Sequence, residues 1–294
     1  MIVEAVPRLR QIVEEVWRPL AALFLWDCAV TAFYYWTPFH APSLPYTLFA
    51  TALALFIGFR SNSAYQRWWE GRTLWGAAIN ASRSLARGVR NLLPADEALD
   101  LRRTLVLRQV AYVNALRCQL RRQPVDAEVL RFLSRGEAEP ALARANVANG
   151  LLDGSGRRIA DARRAGWIDS IQQMHLEGLL VDLANAQGGM ERLKNTPLPN
   201  QYRFLPAFFT RLLCVALPIA LVETLGLATP FGSTVAGLMF LAALRIGEDL
   251  VDPFAATVHD VPLSAMCRTV EIDLLQSIGD AAPAPLQPIK GVLW

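Results

Sequence analysis

The stretch from Leu44 to Trp75 reads LPYTLFATALALFIGFRSNSAYQRWWEGRTLW, and the interpretation of the whole chain starts from it. Up to Phe59 the stretch is apolar and carries no charge, whereas from Arg60 onward it is polar and contains arginine and tryptophan. An apolar helix that crosses a hydrocarbon layer and continues into water has this pattern. The stretch therefore predicts a transmembrane helix whose polar end enters an aqueous region.

The composition of the 294 residues also favours a membrane protein. Hydrophobic residues make up 53% of the chain, charged residues only 19%, and the mean hydropathy is +0.26, which is more apolar than a typical soluble domain. The 4 cysteines lie far apart, so the sequence predicts neither a disulfide framework nor a zinc site. The sequence shows no arrangement of nucleophile and base and no nucleotide-binding loop, which argues against an enzyme.

Further apolar segments resemble the first half of the opening stretch in length and composition. They predict four membrane spans in two closely spaced pairs, separated by a long polar region with helical signals. The predicted fold is an all-α integral membrane protein with four transmembrane helices per subunit and a large helical cytosolic region. In chain order the predicted segments are an N-terminal cytosolic or interfacial helix (1–16), transmembrane helices 1 and 2 (17–59), the cytosolic helical region (60–205), transmembrane helices 3 and 4 (206–250) and a C-terminal segment ending in a proline-rich arm (251–294).

Local signals divide the cytosolic region further. Asp96 is expected to cap a helix that runs to about Gln123, and Asp126 is expected to cap a shorter one. The DGSG sequence at 153–156 predicts a turn, and residues 167–195 predict one long helix.

The distribution of charge predicts the orientation in the membrane. Of the 29 Lys and Arg residues, 22 fall in 60–205, together with 14 of the 26 Asp and Glu residues, which leaves this region with a net charge of +8. The short loops at 37–43 and 226–230 carry no charge. Because positive residues collect on the cytoplasmic side, we expect the insert and both termini to face the cytoplasm of a multi-pass inner (plasma) membrane protein. The arginines are spread along helices rather than clustered with exposed aromatic residues, so no nucleic-acid partner is expected.

Three long blocks of sequence carry a resemblance to a known family. They are GFRSNSAYQRWWEGRTLWGAAINASRSLAR (Gly58–Arg87), ERLKNTPLPNQY (Glu191–Tyr202) and EDLVDPFAATVHDVPLSAMCRTVE (Glu248–Glu271), and the ending PLQPIKGVLW agrees with them. In this order the blocks resemble the bacterial branch of the bestrophin family. The resemblance implies a homopentameric ion channel in the lipid bilayer, with a hydrophobic neck lined by the second span and a second constriction in the cytosolic part.

Carried over onto this sequence, the resemblance places the neck at Thr51, Leu55 and Phe59 and the cytosolic aperture at Ile171. The three neck residues are spaced i, i+4, i+8, so they share one stripe of a helix that covers about 12 Å of its axis. A narrow ring of leucine or phenylalanine side chains offers an ion no hydrogen bonds and can act as a hydrophobic gate by losing its water. The alternatives are that the stripe packs against another span and that Ile171 is an ordinary core residue.

The sign of the permeant ion is open between two interpretations. The positive edge of the Phe59 ring and the basic insert favour a small anion, chloride. Thr51 can present oxygen to a cation, and Asp169 and Glu177 lie near Ile171 and can attract one, so a sodium-selective channel of the same fold is the alternative.

The acidic block at 248–260 is where the resemblance places regulatory calcium in eukaryotic members. Calcium takes six or more oxygen ligands, several of them anionic, and the AATVHD segment is not a dense carboxylate loop. We therefore expect no cofactor, with Asp252 and Asp260 as the weak calcium candidates. The simpler interpretation is that Glu248 and Asp249 pair with Arg245, and that Asp260 caps a helix.

Asp27 is the most deeply placed charge of the predicted spans. An ionisable residue inside a membrane is a functional candidate by default. A pairing of Asp27 with Arg211 or Arg245 is one interpretation.

Two other classes of protein fit part of the pattern. A secondary transporter usually shows repeated halves with interrupted spans, and the two pairs of spans here do not resemble each other. A non-conducting membrane assembly protein would share the spans but would lack a continuous central path.

Overall fold

The computed structural model describes residues 1, 9–38, 40 and 45–294, with the side chains of the first helix described from Trp17 onward. Ten α-helices lie in this part of the chain, and an isolated bridge between Ile289 and Val292 is its only β-type pairing. The all-α class predicted from the sequence is confirmed. The helices are α1 (Leu9–Trp36), α2 (Tyr46–Leu92), α3 (Leu99–Leu120), α4 (Ala127–Leu130), α5 (Arg135–Leu142), α6 (Val147–Arg164), α7 (Ser170–Asn195), α8 (Asn200–Leu225), α9 (Thr229–Asp249) and α10 (Leu263–Ser277).

The chain divides into two compact units. The first, called the span unit, comprises Glu4–Arg67 and Pro197–Val251. The second, called the insert unit, contains Trp68–Thr196 and Asp252–Trp294 together with the first residue. Helix α2 belongs to both units, since the boundary falls after Arg67.

The span unit packs α1 against α8 and α9, and the first half of α2 against α8. Its small apolar core joins Leu53 and Ile57 of α2 to Leu213 and Leu217 of α8. Within the described residues, one stretch, Asn200–Asp249, is long and apolar enough to cross a membrane, and it holds α8, α9 and the short turn between them. The sequence predicted a separate N-terminal helix (1–16) before the first span. In the described residues, 9–16 and the first span instead form one continuous helix, α1.

The insert unit is built around α3. All nine residues from Arg108 to Leu116 are buried, so every side of this part of the helix faces protein. Helices α6, α7 and α10 pack around it. This arrangement gives the insert unit its own large apolar core.

Two local predictions for the insert unit are wrong. Helix α3 begins after Ala98 rather than after Asp96, and no side chain caps it. The glycines of the DGSG sequence lie inside α6 instead of forming a turn. The reason is packing, because a Cβ on Gly154 would collide with the Arg108 guanidinium. Gly154 is therefore needed for the close approach of α3.

Other local predictions are confirmed. The Asp126 side chain caps α4 by accepting a hydrogen bond from the Val129 amide at 3.3 Å. Helix α7 runs to Asn195 without a break, as predicted, but it begins at Ser170 rather than at 167, because Asp169 caps it. After α10 the proline-rich arm is non-helical, and the Ala265 amide donates a hydrogen bond to the Trp294 carbonyl at 2.6 Å.

Candidate functional site

The predicted neck residues lie on the exposed face of α2 within the span unit. Leu55 is 60% exposed and Phe59 is 66% exposed, and Thr51 is exposed as well. Between them, Leu53 and Ile57 are buried against α8. This part of α2 is therefore apolar on two faces, and only one of them is covered by the chain itself.

The Thr51 hydroxyl makes a local bond. It donates a hydrogen bond to the Thr47 carbonyl at 2.8 Å, one turn earlier in α2. The proton of this hydroxyl is therefore committed to the backbone, and its oxygen lone pairs are the groups left to face the surroundings.

Arg60 follows Phe59 directly, but its side chain is buried, with 2% exposure. Its guanidinium donates to the Leu244 carbonyl of α9 at 3.3 Å and to the Glu248 carboxylate at 3.5 Å. Gly247 lies beside Ser61, where an added Cβ would come within 2.9 Å of the hydroxyl oxygen. These contacts hold the end of the apolar segment of α2 against α9.

The sequence does not indicate the burial of Arg60. Because Arg60 is the first charge after the apolar segment, its position is typical of an arginine at a membrane surface. One sequence feature agrees with the burial: Arg60 follows Leu53 by seven residues, so the two side chains lie on the same side of α2. Its partner Glu248 lies 188 residues away, so sequence spacing could not identify it.

A second exposed apolar surface lies beside the stripe. A groove of about 590 Å³ runs between α2 and α8 and is lined almost entirely by apolar side chains, among them Phe49, Phe56 and Phe209. An apolar surface of this size is typical of a protein that contacts lipid or another protein.

The predicted aperture residue lies on α7 in the insert unit. Ile171 is 71% exposed and Met174 is 69% exposed, so within the described chain neither belongs to the core. The same helix buries Leu176 and Leu183 on its other side. Ile171 is therefore not the ordinary core residue of the alternative interpretation.

The two acidic residues near Ile171 differ in their surroundings. Asp169 caps α7 by accepting a hydrogen bond from the Gln172 amide at 2.8 Å, and the Gln172 side chain accepts one from the Asp169 amide at 2.9 Å. Glu177 is half-buried and lies near Gly156 of α6. Asp169 thus has a structural role in the capping box, and its carboxylate is exposed as well.

The acidic block at 248–260, which begins in the last turn of α9, is held by hydrogen bonds and ion pairs. Arg245 pairs with Glu248 at 3.8 Å and with Asp249 at 3.3 Å, which confirms the predicted i+3 and i+4 pairs. In the insert unit, the Lys194 ammonium lies 2.7 Å from the Asp252 carboxylate.

Asp260 does not cap a helix, because Pro262 precedes the first residue of α10. Its carboxylate instead accepts hydrogen bonds from the amide and the hydroxyl of Thr257, both at 2.8 Å. Burial raises the pKa of this carboxyl, and the bonds from Thr257 oppose the rise. Asp260 therefore serves a tight turn whose residue Ala256 has a positive φ of 67°.

Asp27 is 1% exposed and sits between helices of the span unit. Its carboxylate accepts a hydrogen bond from the Thr234 hydroxyl of α9 at 2.9 Å. The predicted pairing with Arg211 or Arg245 is not found among the described residues. Arg245 pairs instead with Glu248 and Asp249.

These observations define a class of protein: a helical protein of two units, one of which holds a stretch long and apolar enough to cross a membrane and an exposed apolar stripe on the longest described helix. A family model described as "Bacterial/Fungal Bestrophin protein" matches residues 7–276. The chain therefore belongs to the bacterial and fungal bestrophin family, as the three sequence blocks predicted.

The relatives agree with this assignment. The protein called "Voltage-dependent anion channel-forming protein YneE" in Salmonella typhi is 37% identical over 232 residues, which cover 79% of this chain and 75% of the relative. The Escherichia coli (strain K12) protein of the same name is 37% identical over 246 residues, 83% of this chain and 80% of the relative. Family and relatives point to a channel rather than an enzyme, as expected, and to a location in the membrane.

Solved structures show the same fold. The crystal structure of a bacterial bestrophin homologue from Klebsiella pneumoniae is similar with a TM-score of 0.85 and 35% identity, over 89% of this chain and 98% of that chain. A second crystal structure, described as that of a membrane protein, has a TM-score of 0.86 and 35% identity, over 91% of this chain and all of that one. The predicted membrane-protein fold is thereby confirmed.

Proposed function

We propose that this chain is the subunit of a homopentameric ion channel that passes small monovalent anions through a central pore. Thr51, Leu55 and Phe59 line a hydrophobic neck, and Ile171 lines a cytosolic aperture. The protein crosses the inner membrane several times, and its insert unit and both termini face the cytoplasm. The names of the relatives as anion channel-forming proteins support the anion, and the charge-free short loops support the orientation.

One observation carries the neck assignment. Leu55 and Phe59 are more than half exposed on a helix whose other face is packed, so the chain alone leaves a leucine and a phenylalanine uncovered on one stripe. In a ring of subunits such a stripe faces the shared axis. There it forms a narrow apolar passage that is closed when it is dry and conducts when it widens and fills with water.

The exposed stripe on α7 supports the aperture in the same way. Ile171 and Met174 are exposed apolar residues of the insert unit, on a helix that is otherwise anchored in a large core. A ring of Ile171 side chains would form a second constriction that is apolar and has the capping carboxylate of Asp169 beside it.

The sodium alternative has an observation in its favour. Many arginines of the insert unit are paired, including Arg83 with Asp273 at 2.6 Å and Arg103 with Asp280 at 2.7 Å. Pairing reduces the field with which the insert would attract anions. Asp169 keeps an exposed carboxylate, which favours cations near the aperture.

The proposed channel works without calcium. Among the described residues, no group of three or more His, Cys, Asp or Glu side chains is placed to hold a metal ion. Lys194 sits against Asp252, and Thr257 occupies both oxygens of Asp260. An ammonium group thus neutralises the first candidate ligand, and the second is used by a turn.

Purified protein in a planar bilayer tests the proposal. Under a sodium chloride gradient we expect single-channel currents whose reversal potential lies toward the equilibrium potential of chloride, and chelation of calcium should not change it. A reversal potential that lies toward the equilibrium potential of sodium would establish the alternative. Purified protein that gives no unitary currents in repeated reconstitutions would overturn the channel assignment and favour a transporter or an assembly protein.

A further inference from the structure

The exposed stripe of α2 does not end at Phe59. With about 100° of rotation per residue, Leu55, Phe59, Asn62 and Gln66 lie about 40°, 80°, 20° and 60° around the helix from Thr51. Asn62 and Gln66 therefore occupy the same sector as the predicted neck. Both residues are exposed, and α2 is unbroken from Tyr46 through both of them.

The charged residues of this segment point elsewhere. The Arg60 guanidinium is buried against α9, and the Arg67 side chain donates to the Val251 carbonyl at 3.1 Å. The exposed stripe from Thr51 to Gln66 consequently carries no formal charge. After the apolar residues Leu55 and Phe59 it becomes polar again at Asn62.

The two carboxamides have unused hydrogen-bonding capacity. In the part of the chain that the structure describes, no hydrogen bond to either side chain is found, whereas Ser63, the next residue in the chain after Asn62, donates its hydroxyl to the Phe59 carbonyl at 3.0 Å. A carboxamide offers two N–H donors and one acceptor oxygen, so it can face an anion or a cation.

We propose that Asn62 and Gln66 form a carboxamide collar directly below the neck, where they contact the ion as it regains its hydration shell and set the charge selectivity of the channel. This inference rests on the proposed function, because it takes the stripe of α2 as the pore wall. Along the helix axis Asn62 lies about 4.5 Å and Gln66 about 10 Å beyond Phe59.

The collar is expected to set the selectivity because it is polar and the neck before it is apolar. An apolar ring cannot replace the water that an ion gives up, so the first polar groups beyond it are those that the ion meets when it is least hydrated. A neutral dipole turns its N–H groups or its oxygen toward the ion according to the sign of the ion. If this position carried a formal charge, each subunit would contribute one such charge to the same narrow, poorly screened part of the pore. These charges together should dominate the selectivity.

Charge substitution at Asn62 tests the inference, with Ser63→Asp as the matched control. Asn62→Asp is expected to raise the cation-to-anion permeability ratio about tenfold relative to the wild type, and Asn62→Lys to lower it about tenfold. Ser63 lies about 100° further around the helix, so Ser63→Asp adds the same charge off the stripe and should leave the ratio within about twofold. All variants are first required to elute as the wild-type assembly does on size exclusion.

Cysteine accessibility gives a second measurement that does not depend on selectivity. Cys118, Cys214 and Cys267 are buried and Cys28 is half-buried, so the background reaction with a charged thiol reagent should be low. Asn62→Cys and Gln66→Cys should lose current when the reagent is added, and Ser63→Cys should react much more slowly.

The outcomes separate the two proposals. If the wild-type protein conducts but Asn62→Asp and Ser63→Asp shift the permeability ratio equally, or Asn62→Cys is unreactive, the collar is refuted and the channel stands. If the wild-type protein does not conduct, the proposed function itself fails.

Discussion

The segment of α2 that holds the proposed neck and the centre of α3 are both rich in apolar residues, yet they differ in how far their side chains are buried. From Arg108 to Leu116 every residue of α3 is buried within the insert unit. From Thr51 to Phe59, α2 buries Leu53 and Ile57 and leaves Leu55 and Phe59 mostly exposed. The first segment holds its own unit together, whereas the second leaves most of its apolar side chains exposed within the chain.

The difference shows that the apolar residues left exposed in a single chain indicate where it contacts lipid, a pore or another protein. In α3 the side chains contribute to the folding free energy of the subunit. In the stripe of α2 the side chains are mostly exposed and contribute little to it, and in the proposed channel they form the neck. Substitutions in the two helices test this contrast.

The same substitution at two leucines tests the contrast most strongly. Leu116 is 0% exposed in α3, so Leu116→Ala should cost roughly 2–5 kcal/mol of unfolding free energy through lost burial and a cavity. Leu55→Ala should cost less than about 0.5 kcal/mol, because the side chain is mostly exposed in the subunit. Chemical denaturation of the detergent-solubilised protein measures both. Equal losses at the two positions would contradict the contrast.

The buried face of α2 should behave like α3 and unlike its own stripe. Arg60→Gln removes the buried guanidinium from the Leu244 carbonyl and leaves Glu248 with only its 3.8 Å pair to Arg245, and we expect a loss of about 1–3 kcal/mol. Gln66→Ala, on the exposed stripe, is the matched control and should be close to neutral. A neutral Arg60→Gln would mean that α9 does not anchor the end of the neck.

A pair of glycines tests the packing around α3. Alanine normally stabilises a helix interior by about 1 kcal/mol relative to glycine. At Gly154 the added methyl group would collide with the buried Arg108 guanidinium, which cannot move aside without losing its hydrogen bonds to Ser155 and the Leu151 carbonyl. Gly154→Ala should therefore destabilise the protein by about 1–3 kcal/mol. Gly188 of α7 has no atom within 4 Å of an added Cβ, so Gly188→Ala should stabilise it by up to about 1 kcal/mol. Melting temperatures should move in opposite directions, and a stabilising Gly154→Ala would refute the close approach.

Much of the fold could be predicted from the sequence because its signals are local. The apolar length of α8 and α9, the cap at Asp126 and the non-helical proline-rich arm all depend on neighbouring residues. The turn predicted at 153–156 was wrong because the reason for Gly154 lies far away in the sequence, at Arg108 of another helix. The helix start predicted at Asp96 was wrong because an acidic residue near a helix start need not be its cap.

The candidate site was predictable only in part. The family resemblance placed the neck at Thr51, Leu55 and Phe59, and their i, i+4, i+8 spacing sets them on one stripe of α2. Which face of the helix the chain covers depends on the packing of α8 and α9. The bond between Asp27 and Thr234 and the ion pair between Lys194 and Asp252 join residues 207 and 58 positions apart. No spacing rule connects such pairs, so for Asp27 the sequence suggested arginine partners.

Single-channel recording of the Leu55→Ala/Phe59→Ala double variant in a planar bilayer tests the central claim most directly. If these side chains form a hydrophobic gate, their removal widens and wets the neck. The open probability should then rise severalfold above that of the wild type. A control variant, Phe49→Ala/Phe56→Ala, changes exposed residues about 160° and 140° around the helix from Thr51, off the stripe, and should gate as the wild type does. A double variant of Leu55 and Phe59 with unchanged open probability and unchanged conductance would contradict the account.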